Sequence, residues 1–399
     1  MDIARLTEVT AQNLEYAVKL AQKMVQTPSL SGQEKELAEL TRQTMEQLRF
    51  DEVYIDEVGN VIGRIKGRGG GRSVMFNCHL DTVAAGDPAA WKYPPFAGVI
   101  ADGALWGLGA SDTKAAFACQ IVAAAALKEA GMLPTGDIWV VGVVHEETSG
   151  FGSRYLAKKL APDVVILGEA SDNQIKIGHR GRMQFDIYFK GKSTHASVPA
   201  RGVNPHFAAA RLLLQIERLK MQADPFFGES SVAPTLYVTD QTSSNVTPGQ
   251  VVLSLDWRNI PGETEENIRR RLEQVVAECL IPGVTARIEL KMRDVGCYTG
   301  YKGVAPAGEP SFATPPDDPI VLAVQQALAA VFNREVSIGV CGFATDGGHF
   351  RAEGSKVIIF APSEERYCHT TEDSVSIEKM REAILGNMAL ALCLGAENC

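Results

Sequence analysis

Two histidines and five carboxylates carry the chemistry this sequence offers, and most of them stand just past apolar runs. MFNCHLDTV places His79 and Asp81 at the end of one such run, and LWGLGASDTK puts Asp112 in a glycine-rich loop. VVHEETSG sets Glu146 beside Glu147, VVILGEAS delivers Glu169, and YCHTTEDSV adds His369 near the C-terminus. Singly, each has an ordinary explanation as a core histidine, a solvated loop acid or a helix cap. Their recurrence is the signal, because open α/β sheets bind ligands beyond the carboxyl ends of their strands.

Imidazole and carboxylate donors without thiolates suit zinc, cobalt or manganese, and an open coordination position makes such a site catalytic. Two ions about 3.5–4 Å apart need a carboxylate that bridges them. Asp81, two residues beyond His79, is placed to orient a ligating imidazole and fix its tautomer. The pair Glu146 and Glu147 allows a division of labour. One can hold metal while the other takes a proton from water as a hydrolytic general base.

The elements that must position these residues change texture along the chain. From residue 73 to about 180, apolar strands (73–83, 137–144, 163–168) alternate with an alanine-rich helix over 113–131. That pattern predicts a mostly parallel sheet covered on both faces. MQFDIYFKG (183–191) then alternates apolar and polar residues. After it come a helix over 204–220, strands over 231–239 and 250–258, a helix over 263–280 and a strand over 284–293. The order β-α-β-β-α-β is ferredoxin-like. The first texture returns in helix 318–332, strands 335–340 and 356–360, and a final helix over 376–394. The reading is an α/β catalytic domain from residues 1–180 and 294–399, with an inserted α+β lid or dimerisation domain over 181–293.

With 399 residues the chain has room for two or three domains, and its net charge of -9 argues against nucleic acid or anionic membrane as partners. The N-terminal segment reads as an amphipathic helix and lacks the basic and apolar regions of a signal peptide. No apolar run reaches the ~18 residues of a membrane span. Eight scattered cysteines without a CxxC pair suit reduced thiols in a cytoplasm.

In chain order, HLDTV, WKYPPFAG with DGALWGLGASDTK, HEETSGFG, GEAS, STHASVPARGVNP and CHTTED resemble the motifs of the co-catalytic zinc aminoacylase and carboxypeptidase family. That family includes acetylornithine deacetylase, succinyl-diaminopimelate desuccinylase and glutamate carboxypeptidase. The resemblance covers nearly the whole chain. It implies that His79, Asp112 and Glu169 bind one metal ion, and that Asp112 bridges to a second completed by Glu147 and His369. It further implies Glu146 as general base, Asp81 as the partner of His79, and His195 on the lid as a polariser of the scissile carbonyl, often across a dimer. Asn245 and Arg258 match lid positions that contact substrate, where an arginine fork suits a carboxylate.

The expected cofactor is a pair of divalent ions, zinc first, with cobalt or manganese as alternatives. The expected substrate is a small N-acyl amino acid, cleaved at its amide bond as in a deacetylase or desuccinylase. Dipeptidase, carboxypeptidase or N-carbamoyl hydrolase activity is the alternative, and a non-catalytic metal-binding relative is the alternative of another class. A second copy of the chain is the expected protein partner. The sequence departs from the family at Leu108, where arginine is usual, and at Ala115, where glycine is usual. His145 precedes the glutamate pair and is placed to tune Glu146, while His179, His206 and His349 have no motif-backed metal role.

Overall fold

The strand Val74–His79 lies at the centre of a nine-stranded sheet, parallel to Ile138–Val143 on one side and to Val164–Leu167 on the other. The computed structural model describes residues 1–396. All six residues of Val74–His79 are buried, as a strand covered on both faces must be. Lys356–Ile359 continues the parallel core beside Val164–Leu167. The margins run antiparallel: Val61–Ile65 and Glu52–Ile55 on one side, Ile175–His179 with Phe312–Ala313 on the other. Ile338–Cys341 pairs in parallel with Ile175–His179.

The alanine-rich helix Ala115–Glu129 packs against the helices Ile3–Val25 and Ile377–Leu394 as well as the sheet. Every residue from Ala115 to Leu127 is buried. A helix enclosed on all sides has no polar face to show, and alanine lets its neighbours approach closely.

A second, four-stranded antiparallel sheet has the order Ser231–Thr239, Gln250–Arg258, Met183–Lys190, Thr285–Leu290. The helices His206–Glu217 and Glu265–Cys279 cover it, and Phe185, Ile187, Leu212, Trp257 and Leu272 form a core of its own. The order is that of a ferredoxin-like unit.

The expected strand over 284–293 stops at Leu290, and Met292–Gly296 instead forms a hairpin with Lys302–Pro306. Val295 and Ala305 of that hairpin belong to the large core of the first sheet. The alternation of apolar residues runs through both strands, so periodicity alone shows no break.

Among the described residues, six cysteines are free and Cys393 is disulfide-bonded, a bond the scattered cysteines did not suggest. No helix among them is long and apolar enough to cross a membrane.

Candidate metal centre

Strand register explains why residues far apart in sequence converge. His79 lies opposite Val143, so the chain leaving Ile138–Val143 reaches Glu146 and Glu147 just beyond it. Asn77 lies opposite Leu167, and Gly168 N donates to Asn77 O at 2.8 Å, which turns Glu169 to the same edge. Ile359 pairs with Leu167, and the segment that follows leads to His369. Asp112 arrives from the other direction, on the irregular turn Ala110–Lys114 ahead of the buried helix.

The donors form two groups that share one residue. His79, Asp112 and Glu169 present ligand atoms within 4.8 Å of one another, and Asp112, Glu147 and His369 do the same. Asp112 Oδ1 lies 2.9 Å from His79 Nε2, while its Oδ2 lies 3.1 Å from His369 Nε2. Glu147 Oε1 is also 3.1 Å from His369 Nε2. Asp112 thus turns one oxygen to each group, the geometry a bridging carboxylate needs.

Asp81 does its work differently from the expectation. His79 Nδ1 donates to the Asp81 backbone carbonyl at 2.8 Å, while the Asp81 carboxylate stands 3.9 Å away. That carboxylate instead accepts from the amides of Glu146 (3.0 Å) and Glu147 (3.1 Å) and from the Ser31 hydroxyl (2.6 Å). It therefore caps the first turn of the short helix Glu146–Ser149, satisfying amides that no helical carbonyl can reach. The carbonyl fixes the tautomer that leaves Nε2 free for metal.

His145 adopts a left-handed conformation with φ 59° ahead of that helix. Its ring contacts Thr148 Oγ1 and the Gly296 carbonyl, each at 3.2 Å, and no hydrogen bond joins it to Glu146 among the described residues.

The electrostatics call for cations. Burial pushes Glu169 up to about 8, with Asp112 adding to the rise. Burial, and then the charge of Glu169, raise Glu146 well above the usual carboxylate range. His369 is raised to about 10 by its hydrogen bonds to Asp112 and Glu147. Burial alone would lower His79, but Asp112 and Glu169 outweigh it and hold the imidazole well above its usual value. Four carboxylates crowded around the buried His79 and the exposed His369 are short of positive charge, and divalent ions would supply it. The residues present therefore fit a pair of metal ions.

Asp112, Glu146, Glu147, Glu169 and His369 line a cavity of about 280 Å³, together with Phe343, Ala344, Glu365 and Cys368. His195, Asn245 and Arg258 do not line it. His195 pairs with Val246 in a two-residue ladder, and Ala196 N donates to Asn245 O at 2.8 Å, so these two sit together on the second domain. Arg258 Nε donates to Asp256 Oδ1 at 2.6 Å, an ion pair within its own strand.

His179 is a buried structural histidine whose Nε2 accepts from Thr345 N at 3.0 Å. His206 stacks on Tyr237. His349 joins Glu309 and Asp346 as a third group of possible donors, in which His349 Nε2 pairs with Glu309 Oε2 at 2.7 Å.

Asp373 escaped the sequence reading although it lies in the CHTTED segment. It is buried, and its carboxylate accepts from Gly109 N (2.6 Å), Ser111 N (2.8 Å) and Ser111 Oγ (2.6 Å). It ties the His369 segment to the turn that carries Asp112. Gly109 is required there, because φ is +80° and a Cβ would sit 2.8 Å from Thr82 Cγ2. An acid four residues after a candidate ligand was the one available clue.

The chain is 28% identical over 88% of its length to the uncharacterized protein YgeY of Escherichia coli, covering 87% of that protein. It is 29% identical over 73% of its length to succinyl-diaminopimelate desuccinylase of Cereibacter sphaeroides, covering 79% of that enzyme. The structure of the Bacillus subtilis YXEP protein, described as a dinuclear metal-binding peptidase, superposes with a TM-score of 0.69 at 16% identity, covering 96% of this chain and 99% of that one. At such identity the superposition speaks for the fold. The model of peptidase family M20/M25/M40 matches residues 75–391, and the chain accordingly belongs to that family of metal-dependent hydrolases.

Proposed function

We propose that the protein hydrolyses the amide bond of a small N-substituted amino acid, N-acyl amino acids of the acetyl or succinyl kind being the first candidates and dipeptides the alternative. The observation that carries this reading is Asp112, with one oxygen 2.9 Å from His79 and the other 3.1 Å from His369. His79, Asp112 and Glu169 would hold one ion, and Asp112, Glu147 and His369 the second, with zinc the first choice and cobalt or manganese compatible with the same donors. Such a pair, when bound, lowers the pKa of water and polarises a carbonyl oxygen.

The rest of the work falls to the chain. Glu146 lies in the cavity beside the donors and belongs to neither donor group. With cations compensating its neighbours it takes the proton of the attacking water. It returns that proton to the leaving nitrogen as the C–N bond breaks. Asp81 accepts from the backbone amides of both glutamates and so holds the two in place together.

Residues 181–293 act as the lid in this reading. His195 and Asn245 reach the substrate when the lid closes or from a second copy of the chain, and Arg258 exchanges Asp256 for a substrate carboxylate. The homodimer is supported by the edge strand Ser231–Thr239, which exposes Leu236, Tyr237 and Val238, and by Phe207 and Leu214 on the neighbouring helix. An unpaired apolar edge of this kind favours a partner strand. The six free cysteines suit a cytoplasmic location, whereas the disulfide at Cys393 does not.

The test is a hydrolysis panel of N-acetyl, N-succinyl and dipeptide substrates. It uses chelator-stripped protein restored with zinc or manganese, with Glu146→Gln as the blank. Metal-dependent release of amine that vanishes in the blank is expected. Turnover that survives chelation would overturn the reading.

A further inference from the structure

We infer that Glu309, Asp346 and His349 form a third divalent-metal site, apart from the candidate pair, at the junction of the two domains. The site does not depend on the proposed hydrolysis.

One ligand atom from each of the three residues lies within 4.8 Å of the others. His349 Nε2 stands 2.7 Å from Glu309 Oε2, repeating the close imidazole–carboxylate approach of His79 and Asp112. Those two side chains are only 11% and 12% exposed, and Asp346 is fully buried. Ser153 Oγ donates to Asp346 Oδ2 at 2.6 Å, while Oδ1 is buried with no hydrogen-bond partner among the described residues. A buried carboxylate oxygen without a donor is costly unless a cation meets it. One imidazole with two carboxylates is a donor set that suits zinc or manganese.

Gly150 keeps room for the ion. Its φ is +57°, and a Cβ there would collide with both Glu309 Oε2 and His349 Nε2. Glu309 and His349 also line a cavity of about 400 Å³, from which an ion can enter and which shares no lining residue with the metal cavity.

Arg154 lines the same cavity and makes no ion pair with Glu309 or Asp346 among the described residues. Its guanidinium leaves Asp346 Oδ1 unpaired, yet its charge repels an arriving cation. The third site is therefore weaker than the pair, which four carboxylates surround.

The place in the fold gives the ion a task. Glu309 O accepts from Arg182 N at 2.8 Å, where the chain entering the second domain crosses the chain returning from it. His349 lies on the helix Gly347–Ala352 of the first domain, and Asp346 stands just ahead of it. An ion held by all three ties that crossing to the catalytic domain.

The experiment counts zinc per chain by equilibrium dialysis of the full chain at rising free zinc, with the melting temperature read alongside. Wild type is expected to fill the pair first and then take up a third ion, whose binding raises the melting temperature further. Glu309→Gln and His349→Gln should each weaken the third ion by more than about tenfold, since even a ligand's supporting partner is worth that much. The pair should keep its affinity in both variants.

Wild type that stops at two ions or fewer overturns the inference. A third ion that either variant keeps is an adventitious ion only and overturns it as well. Loss of the pair together with the third ion assigns these residues to the fold, with the same result. If one variant does not fold, the other decides. Failure of every substrate in the hydrolysis panel overturns the proposed function and leaves the third site standing.

Discussion

Glu146 and Glu147 are neighbours in sequence with different surroundings, and the roles proposed for them rest on that difference. Glu147 reaches His369 at 3.1 Å and belongs to a donor group; Glu146 belongs to neither. Glu146→Gln is therefore expected to keep both metals and lose about 10²–10⁴ of turnover, read as activity beside metal content. Retained turnover would remove Glu146 as the base. His369→Ala should bind one ion fewer per chain while His79, Asp112 and Glu169 still hold the other, and an unchanged metal count would count against it.

The same residues set a pH dependence in the metal-free protein. Glu169 is held up to about 8 and His369 to about 10, above unfolded values of about 4.3 and 6.5. A group whose folded pKa is raised contributes stability that is complete below its unfolded pKa and lost as pH rises through the folded one. The melting temperature of metal-free protein should therefore fall as pH rises from about 4.3 to about 10, most steeply between about 6.5 and 8 where both groups contribute, and bound metal should flatten that slope by taking the place of the protons. A metal-free melting temperature that rises across this window would contradict the account.

At the scale of elements, the convergence of the candidate site was legible because strand ends are legible. His79, Glu146, Glu147 and Glu169 each follow an apolar run, and the register of Val74–His79 with its two parallel neighbours brings those ends together. Turns were less readable. Ala110–Lys114 leaves helical geometry at Asp112 and Thr113, and its shape depends on Asp373, which comes from 262 residues away in the chain at Ser111. No local pattern encodes a hydrogen bond of that span. Asp81 shows the same limit, since sequence offered a carboxylate near His79 but not which atom would face the ring.

Asp373 itself makes a prediction. Asp373→Asn keeps the shape but leaves one of the three donors it now satisfies facing an amide N–H₂ group. The Asp112 turn and the His369 segment then lose their common anchor. The affinity of the ion held by Glu147 and His369 should fall about 10–100-fold, with the ion at His79 and Glu169 less affected. Equal loss at both sites, in a metal titration, would show that Asp373 serves folding rather than placement.

On the scale of the whole molecule, the change of texture near residue 183 was the clearest signal, because alternating and continuous apolar strands imply different environments. Phe185, Ile187 and Phe189 point into one core while Gln184 and Tyr188 stay partly exposed. The passage back to the first texture was less clear, since the hairpin Met292–Gly296 and Lys302–Pro306 alternates too. The positions of His195, Asn245 and Arg258 relative to the metals were not readable from their motifs. They lie on the second domain and do not line the cavity. In the proposed homodimer, Leu236→Lys, a charge on the exposed edge strand, is expected to yield monomers by sedimentation. It should also lower turnover if His195 acts across the dimer, and a monomer with full activity would place His195 in the same chain as its metals.

Metal titration of chelator-stripped protein tests the central claim most directly. Wild type should take up two zinc or manganese ions per chain, and Asp112→Asn, which weakens the shared bridge, should depress the affinity of both. A single ion in the wild type, or an Asp112→Asn protein that binds two as tightly as before, would contradict a centre built around Asp112.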